Sequence, residues 1–179
     1  MDHELSRQLQ SPYASAMATP RTLKPEEWER WNTWMQAQRL LARELDRDLQ
    51  RDYGISKAEF SVLVTLHRAP GGRMRVGELA ESLDWHKSRV AHQLTRMENR
   101  QLLDRTDNES SGRRIGIGLT AKGRDTAQNA ILGHADNIRR YFFETLTPEQ
   151  ATAIDAWSRQ MVDRAETRFG ATADGVNSQ

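Results

Sequence analysis

The stretch VGELAESLDWHKSRVAHQLTRMENRQLLDR, residues 76–105, decides the fold of this 179-residue chain. Apolar residues recur at helical spacing over its first two turns, at Val76, Leu79, Ala80 and Leu83. They recur again along one face of a longer helix from about 86 to 101, at Val90, Leu94 and Met97. A brief turn at Asp84 and Trp85 separates the two segments. Two helices joined so closely are typical of a helix-turn-helix.

Past Gln101 the period changes from helical to alternating. Residues 102–106 predict one strand, residues 108–113 a polar loop and residues 114–119 a second strand. A two-stranded ribbon after a helix-turn-helix predicts a wing, with Arg113 and Arg114 at its tip. The fold class expected from these signals is mainly α with a small two-stranded β-wing.

The second helix of this unit is amphipathic, with a polar side opposite its apolar side. Its polar residues are His86, Lys87, Arg89, His92, Gln93 and Arg96. Because a major groove admits one α-helix, and because such side chains address base-edge acceptors, this side predicts DNA contact. Ser88, near the helix start, suits a phosphate oxygen, and the arginines of the wing tip suit an adjacent minor groove.

The near-neutral total of 26 Lys and Arg against 25 Asp and Glu hides a segregation of charge. Residues 68–124 hold 12 basic and 7 acidic residues, a net charge of +5, and the remainder carries −4. A basic middle between acidic flanks points to an anionic partner.

Long helices are predicted on both sides of the winged unit. Pro25 suits the first position of one that ends at Gly54. Thr120 begins another, and Thr147 to Gln150 opens a last helix that closes at Gly170. Between them, a capping box at residues 56–59 opens a helix that stops before residue 69, and residues 73–75 form a very short extended piece. The expected domains are a mobile arm (1–22), a dimerisation helix (23–54), the winged helix-turn-helix (55–119), C-terminal dimerisation helices (120–170) and a tail (171–179).

Aromatic side chains are concentrated in these flanking helices. Those assigned to a dimer interface are Trp28, Trp31, Trp34, Tyr141, Phe142 and Trp157. They offer more aromatic surface than one thin layer of helices hides, which predicts a homodimer. Reading two half-sites about one helical turn apart also requires two copies. The alternative is that these residues form an ordinary monomeric core.

The segments VGELAESLDWHKSRVAHQLTRMENRQLLDR (76–105) and SSGRRIGIGLTAKGR (110–124) together resemble the MarR family of bacterial transcription regulators. The Leu-Thr-x-x-Gly element at residues 119–123 matches closely, and the resemblance covers about residues 25–169. It implies that Ser88, Arg89, His92 and Gln93 contact bases or phosphates, that Arg96 contacts the backbone, and that Arg113, beside Arg114, is the wing arginine. Ser111 stands where the family usually has an Asp, so no Asp–Arg brace of the wing is carried over. The resemblance also implies a small aromatic effector, whose binding residues the sequence leaves unassigned.

Other function classes lack their signatures. The absence of cysteine excludes disulfides, thiolate metal ligands and a redox-sensing thiol. No His-x-x-x-His spacing, P-loop, dinucleotide fingerprint or Gly-x-Ser-x-Gly is present, so we expect no metal, no cofactor and no catalysis. The sequence has no run of about 20 apolar residues and no apolar N-terminal region, so we expect no membrane contact. We expect a cytoplasmic, nucleoid-associated location instead.

The sequence therefore predicts a homodimeric regulator, in the first place a repressor, that reads a pseudo-palindromic operator in double-stranded DNA. The alternative is a winged-helix protein–protein adaptor without specific DNA binding. Steep salt dependence of DNA affinity separates the two, because only several phosphate contacts produce it.

Overall fold

The structure is a computed structural model that describes residues 22–106 and 116–173. The α-helices within these ranges are α1 (Pro25–Tyr53), α2 (Lys57–Arg68), α3 (Val76–Leu83), α4 (Lys87–Asn99), α5 (Ala121–Tyr141) and α6 (Pro148–Ala173). The strands are β1 (Arg73–Arg75), β2 (Leu103–Thr106) and β3 (Gly116–Leu119). In the part of the chain so described, no helix is long and apolar enough to cross a membrane.

The described residues fall into two compact units, the first ending at Leu40 and the second beginning at Leu41. The described part of the first unit contains the N-terminal half of α1, whose start at Pro25 was predicted. The backbone N–H of Lys24 donates to the Glu27 carboxylate at 2.6 Å, and Glu26 and Glu27 place negative charge in the first turn. Carboxylates there suit the positive end of the helix dipole.

In the second unit, α2 begins with the capping box that the sequence predicted. The backbone N–H of Ser56 donates to the Glu59 carboxylate at 2.8 Å, and the backbone N–H of Glu59 donates to the Ser56 hydroxyl at 3.3 Å. Arg100, at the end of α4, also donates to the buried Glu59 carboxylate and to the carbonyl of Gly54. Burial alone would raise the pKa of Glu59, but the hydrogen bonds from Ser56 and Arg100 outweigh it and hold that pKa below its usual value.

The sheet has three antiparallel strands, in the order β1-β3-β2, whereas the sequence predicted two. Residues 103–106 pair with 116–119, as predicted for the wing. Residues 73–75 pair with 116–118 on the other edge of β3. The two-stranded prediction was therefore incomplete, because the short extended piece before α3 finds its hydrogen-bonding partner about 43 residues further along the chain.

One core holds the winged unit together. Its fully buried side chains come from α2, α3, α4, the sheet and α5, and include Leu63, Leu66, Leu79, Leu94, Met97, Ile117 and Ala127. The apolar stripes predicted for α3 and α4 therefore face the same interior. This packing fixes the orientation of α4 and leaves its other side to solvent.

The Leu-Thr-x-x-Gly element closes the unit at the start of α5. The Thr120 hydroxyl donates to the carbonyl of Gln101 at 2.7 Å and accepts the backbone N–H of Gly123 at 3.0 Å. Gly123 lies directly against the backbone of Leu102, where a Cβ atom would overlap the carbonyl oxygen. The motif thus joins the start of α5 to the turn between α4 and β2.

A buried carboxylate joins α1 to the end of α5 within the second unit. Asp48 is 1% exposed and accepts the Tyr141 hydroxyl at 2.7 Å. Arg51 lies 2.6 Å and Arg140 lies 3.6 Å from its two oxygens. Tyr141, which the sequence assigned to a dimer interface, therefore has its hydroxyl bound within this chain.

His134 of α5 supplies a prediction about pH. Its ring packs on Phe60 with centroids 4.6 Å apart, and its Nδ1 is buried without a hydrogen-bond partner among the described residues. Burial lowers the pKa of His134 below the ordinary value of 6.5, with Lys57 lowering it further and Asp46 acting in the opposite sense. The unfolded chain therefore takes up the proton first, so this group's stabilising contribution is complete above about pH 6.5 and is lost as the pH falls.

We expect the free energy of unfolding to fall less between pH 7 and pH 5 in His134→Phe than in the unmutated protein. Urea unfolding at both values measures this difference. Between pH 8 and pH 7 the two proteins should differ little in this change, because the imidazole at 134 is mostly neutral there in both the folded and the unfolded chain. An identical loss of stability at pH 5 in the two proteins would contradict the assignment.

Candidate nucleic-acid interface

The turn between α3 and α4 is built from residues 84–86. Asp84 adopts a left-handed conformation, with φ 51° and ψ 46°, which Asp tolerates better than most residues. The backbone N–H groups of Asp84 and Trp85 donate to the carbonyls of Glu81 and Ala80 at 3.1 and 2.9 Å. These bonds fix the angle at which α4 leaves the turn.

The structure places most of the residues predicted to contact DNA on one exposed side of α4 and its preceding turn. They are His86, Lys87, Ser88, Arg89, His92 and Arg96. Val90, Leu94 and Met97 on the opposite side are fully buried. The helix therefore presents a polar surface while its other side is held by the core.

Gln93 is the exception, and its predicted outward position is wrong. It is 9% exposed, and its Nε2 has no hydrogen-bond partner among the described residues. Positions 90, 93, 94 and 97 follow the i, i+3, i+4, i+7 spacing of a single helix face, so Gln93 lies on the stripe that packs inward. The spacing contained this signal, but the polar character of Gln outweighed it in the prediction.

Among the described residues, α4 groups three exposed cations that can meet an anionic partner. Several other arginines of the basic region are paired within the fold: Arg75 with Glu78, Arg100 with Glu59 and Arg105 with Glu98. By contrast, Lys87, Arg89 and Arg96 form no ion pair with any residue in 22–106 or 116–173. Three of the basic residues of region 68–124 therefore lie on one exposed helix surface without an ion-pair partner among the described residues.

The beginning of α4 is also open. The residue before the helix, His86, makes no capping hydrogen bond with its side chain, so the first N–H groups of α4 are not capped by it. An open groove of about 550 Å³ runs beside this end, lined by residues from α3, the turn and the first turn of α4. Ser88 lines it, at the position predicted to meet a phosphate oxygen.

Trp85 is a residue whose role sequence reasoning missed, since it was treated only as part of a turn. The guanidinium of Arg89 lies over its ring, 4.0 Å from the centroid. Helical spacing gave no signal for this contact, because Trp85 lies before the start of α4 and the chain is extended at His86 between them.

The wing is described only at its base. Strand β2 ends at Thr106, and strand β3 begins at Gly116. The predicted tip arginines, Arg113 and Arg114, therefore lie outside the described residues, as does Ser111. The N-terminal arm (1–22, apart from its last residue) and the end of the tail (174–179) lie outside them too. Within the described residues, no group of three or more His, Asp or Glu side chains is placed to hold a metal ion.

The residues predicted for dimerisation differ in exposure. Trp28, Trp31 and Trp157 are 40%, 51% and 44% exposed. Trp34, Tyr141 and Phe142 are half-buried, and the ring of Phe142 packs edge-on against Phe143 at 5.2 Å between centroids. Further along α6, Met161 and Val162 are also exposed.

Comparison with known proteins gives the same assignment from several sides. The family model described as MarR family matches residues 55–115. AbsC, a MarR family transcriptional regulator from Streptomyces coelicolor, is 33% identical with a TM-score of 0.71, over 82% of this chain and 99% of AbsC. Sco3205, a MarR family regulator from the same organism in complex with DNA, is 33% identical with a TM-score of 0.70, over 82% of this chain and 92% of Sco3205. The HTH-type transcriptional repressor MdtR of Bacillus subtilis (strain 168) is 28% identical over 114 residues, 64% of this chain and 72% of MdtR. The winged helix-turn-helix and the exposed basic side of α4 agree with these relatives. The chain therefore belongs to the MarR family of transcriptional regulators and is not an enzyme.

Proposed function

We propose that this regulator is a homodimeric repressor that binds a pseudo-palindromic site in double-stranded DNA, with α4 of each copy in a major groove. The observation that carries the proposal is the surface of α4, where Lys87, Arg89 and Arg96 are exposed and form no ion pair among the described residues. A buried apolar stripe holds the same helix in place. The relative Sco3205, which crystallised with DNA, supports this use of the fold.

The proposed contacts divide by chemistry. Arg89 and His92 address base edges, where an arginine binds guanine O6 and N7 and a histidine donates to an acceptor. Ser88 and the open N–H groups of α4 bind a phosphate, and His86, Lys87 and Arg96 lie toward the sugar–phosphate backbone. Gln93 is left out, because its side chain is buried.

Dimerisation is proposed through the flanking helices, because a single winged unit reads only one half-site. Each unit offers its own exposed apolar side chains for this contact: Trp28 and Trp31 in the first unit, and Trp157, Met161 and Val162 in the second. Large apolar side chains exposed on a regular helix are typical of a subunit interface. Sedimentation velocity measures the assembly state, and a monomer at micromolar concentration contradicts this part of the proposal.

Repression and release by a small aromatic effector complete the proposal. The name of MdtR as a repressor supports repression, and the family resemblance supports release by an effector. Residence on chromosomal DNA follows from the same binding. Small aromatic acids are expected to lower affinity for the selected site, and unchanged affinity across such a series would remove the effector from the proposal.

The function is tested by selecting duplexes from random DNA with the full chain and then varying the salt. We expect a palindrome whose half-sites are centred about 10 base pairs apart. The logarithm of affinity should fall steeply with the logarithm of salt concentration, by about 0.9 for each phosphate contact. Lys87→Ala should reduce the slope by about one, whereas Arg159→Ala, on α6, should leave it unchanged. A flat slope for the unmutated protein would favour the protein–protein adaptor instead.

The wing arginine gives a separate prediction. We expect Arg113→Ala to weaken binding to the selected site, because a side chain inserted in a narrow minor groove gains from its negative potential. Thermal unfolding of the free protein should stay the same. Affinity equal to that of the unmutated protein would show that residue 113 makes no contact with DNA.

A further inference from the structure

Trp85 forms a fixed surface beneath Arg89. The guanidinium carbon of Arg89 lies 4.0 Å from the centroid of the Trp85 ring. That ring is half-buried and packs against the core, and the backbone N–H of Trp85 donates to the carbonyl of Ala80 at 2.9 Å. Arg89 therefore rests on a group anchored to the folded unit, not on another flexible surface side chain.

This arrangement leaves the hydrogen-bonding capacity of Arg89 unused. The side chain is exposed and has no ion-pair partner among the described residues. A guanidinium is attracted to an indole ring through its charge and its flat surface, so this contact does not consume its N–H donors. A bidentate contact with guanine uses those donors, and it gains when the fork is already held in place.

We propose that Trp85 is a positioning residue: it holds Arg89 in the orientation that addresses guanine in the major groove, and thereby sets part of the discrimination between duplex sequences. The inference rests on the proposed function, since it assigns how one of its base contacts is made. Trp85 itself acts through Arg89 and does not touch the bases.

A double-mutant cycle on the selected duplex and on a random duplex tests this role. Trp85→Leu, which keeps an apolar group against the core, should weaken binding to the selected site about three- to ten-fold. Affinity for the random duplex and the salt slope should stay the same, because no phosphate contact is lost. In an Arg89→Ala background the same change should cost nothing further. Trp85→Phe, which retains an aromatic face, should recover most of the lost affinity.

Three results would overturn the proposal. One is full affinity and selectivity in Trp85→Leu. Another is an equal loss on the selected and the random duplex, which marks a general effect on the fold or on backbone contacts. The third is a loss that persists in the Arg89→Ala background, which shows that Trp85 contacts DNA itself or supports α4 independently of Arg89.

A measurement on the free protein separates this inference from the proposed function. In a nitrogen–proton NMR spectrum, the Nε–H signal of Arg89 should be shifted upfield by the Trp85 ring current, and Trp85→Leu should abolish that shift. Absence of the shift overturns the stacking whether or not the protein binds DNA. A protein that shows the shift but selects no duplex overturns the proposed function, and the positioning role with it. A protein that selects a duplex but fails the cycle overturns only the role of Trp85.

Discussion

Gly123→Ala is expected to lower the free energy of unfolding by about 2–3 kcal/mol, although alanine is the better helix former. A Cβ atom at this position would overlap the carbonyl oxygen of Leu102 and lie 2.9 Å from its carbonyl carbon. The obstacle is backbone, and it is held there because the same carbonyl accepts the N–H of Thr120 at 3.2 Å. To make room, the start of α5 must move away from the turn that leads into β2.

Gly77→Ala is the matched control, because it makes the same chemical change near the start of another helix. A Cβ atom at residue 77 would meet nothing within 4 Å. The control should therefore be neutral or stabilise the protein by up to about 1 kcal/mol, since the alanine restricts the unfolded chain. Urea unfolding of both variants at one protein concentration measures the difference, because concentration affects the apparent stability of a dimer. Equal stabilities for the two variants would contradict the close approach at residue 123.

Arg89→Ala is expected to cost about 1–3 kcal/mol of binding free energy on the selected duplex, and much less on random DNA. Arg89 is exposed and forms no ion pair among the described residues, so its removal takes a base contact from the complex without breaking a salt bridge of the fold. Fluorescence anisotropy on the two duplexes at a fixed salt concentration measures the two losses. Lys87→Ala is the comparison, and it should weaken both duplexes about equally, as a phosphate contact does.

The ratio of the two losses decides the role of Arg89. If Arg89→Ala weakens the selected and the random duplex by the same factor, then Arg89 contacts a phosphate, and the base-reading role passes to the remaining exposed residues. His92 is the first of these, because it lies on the same exposed side of α4. The proposed function itself would survive that result, since it depends on the salt slope and on the selected palindrome.

The sequence by itself determined the local elements of this protein. The capping box at residues 56–59, the end of α1 at Tyr53 and the apolar stripes of α3 and α4 all agree with the structure. Each of these depends on residues within one or two helical turns, where spacing and capping chemistry are sufficient. The basic character of α4 belongs with them, because it follows from composition along a single helix.

Only the tertiary structure decided what those elements meet. The third strand of the sheet forms because residues 73–75 pair with β3. Arg100 donates a hydrogen bond to Glu59, which lies 41 residues earlier in the sequence. Gln93 is polar but packs inward, because the whole stripe on which it lies faces the core. Arg89, in contrast, keeps its donors free above Trp85. Periodicity describes neighbours along the chain, whereas pairing over tens of residues depends on which groups the folded core brings together. That is why the sequence located the basic surface, and the fold selected which of its cations remain available.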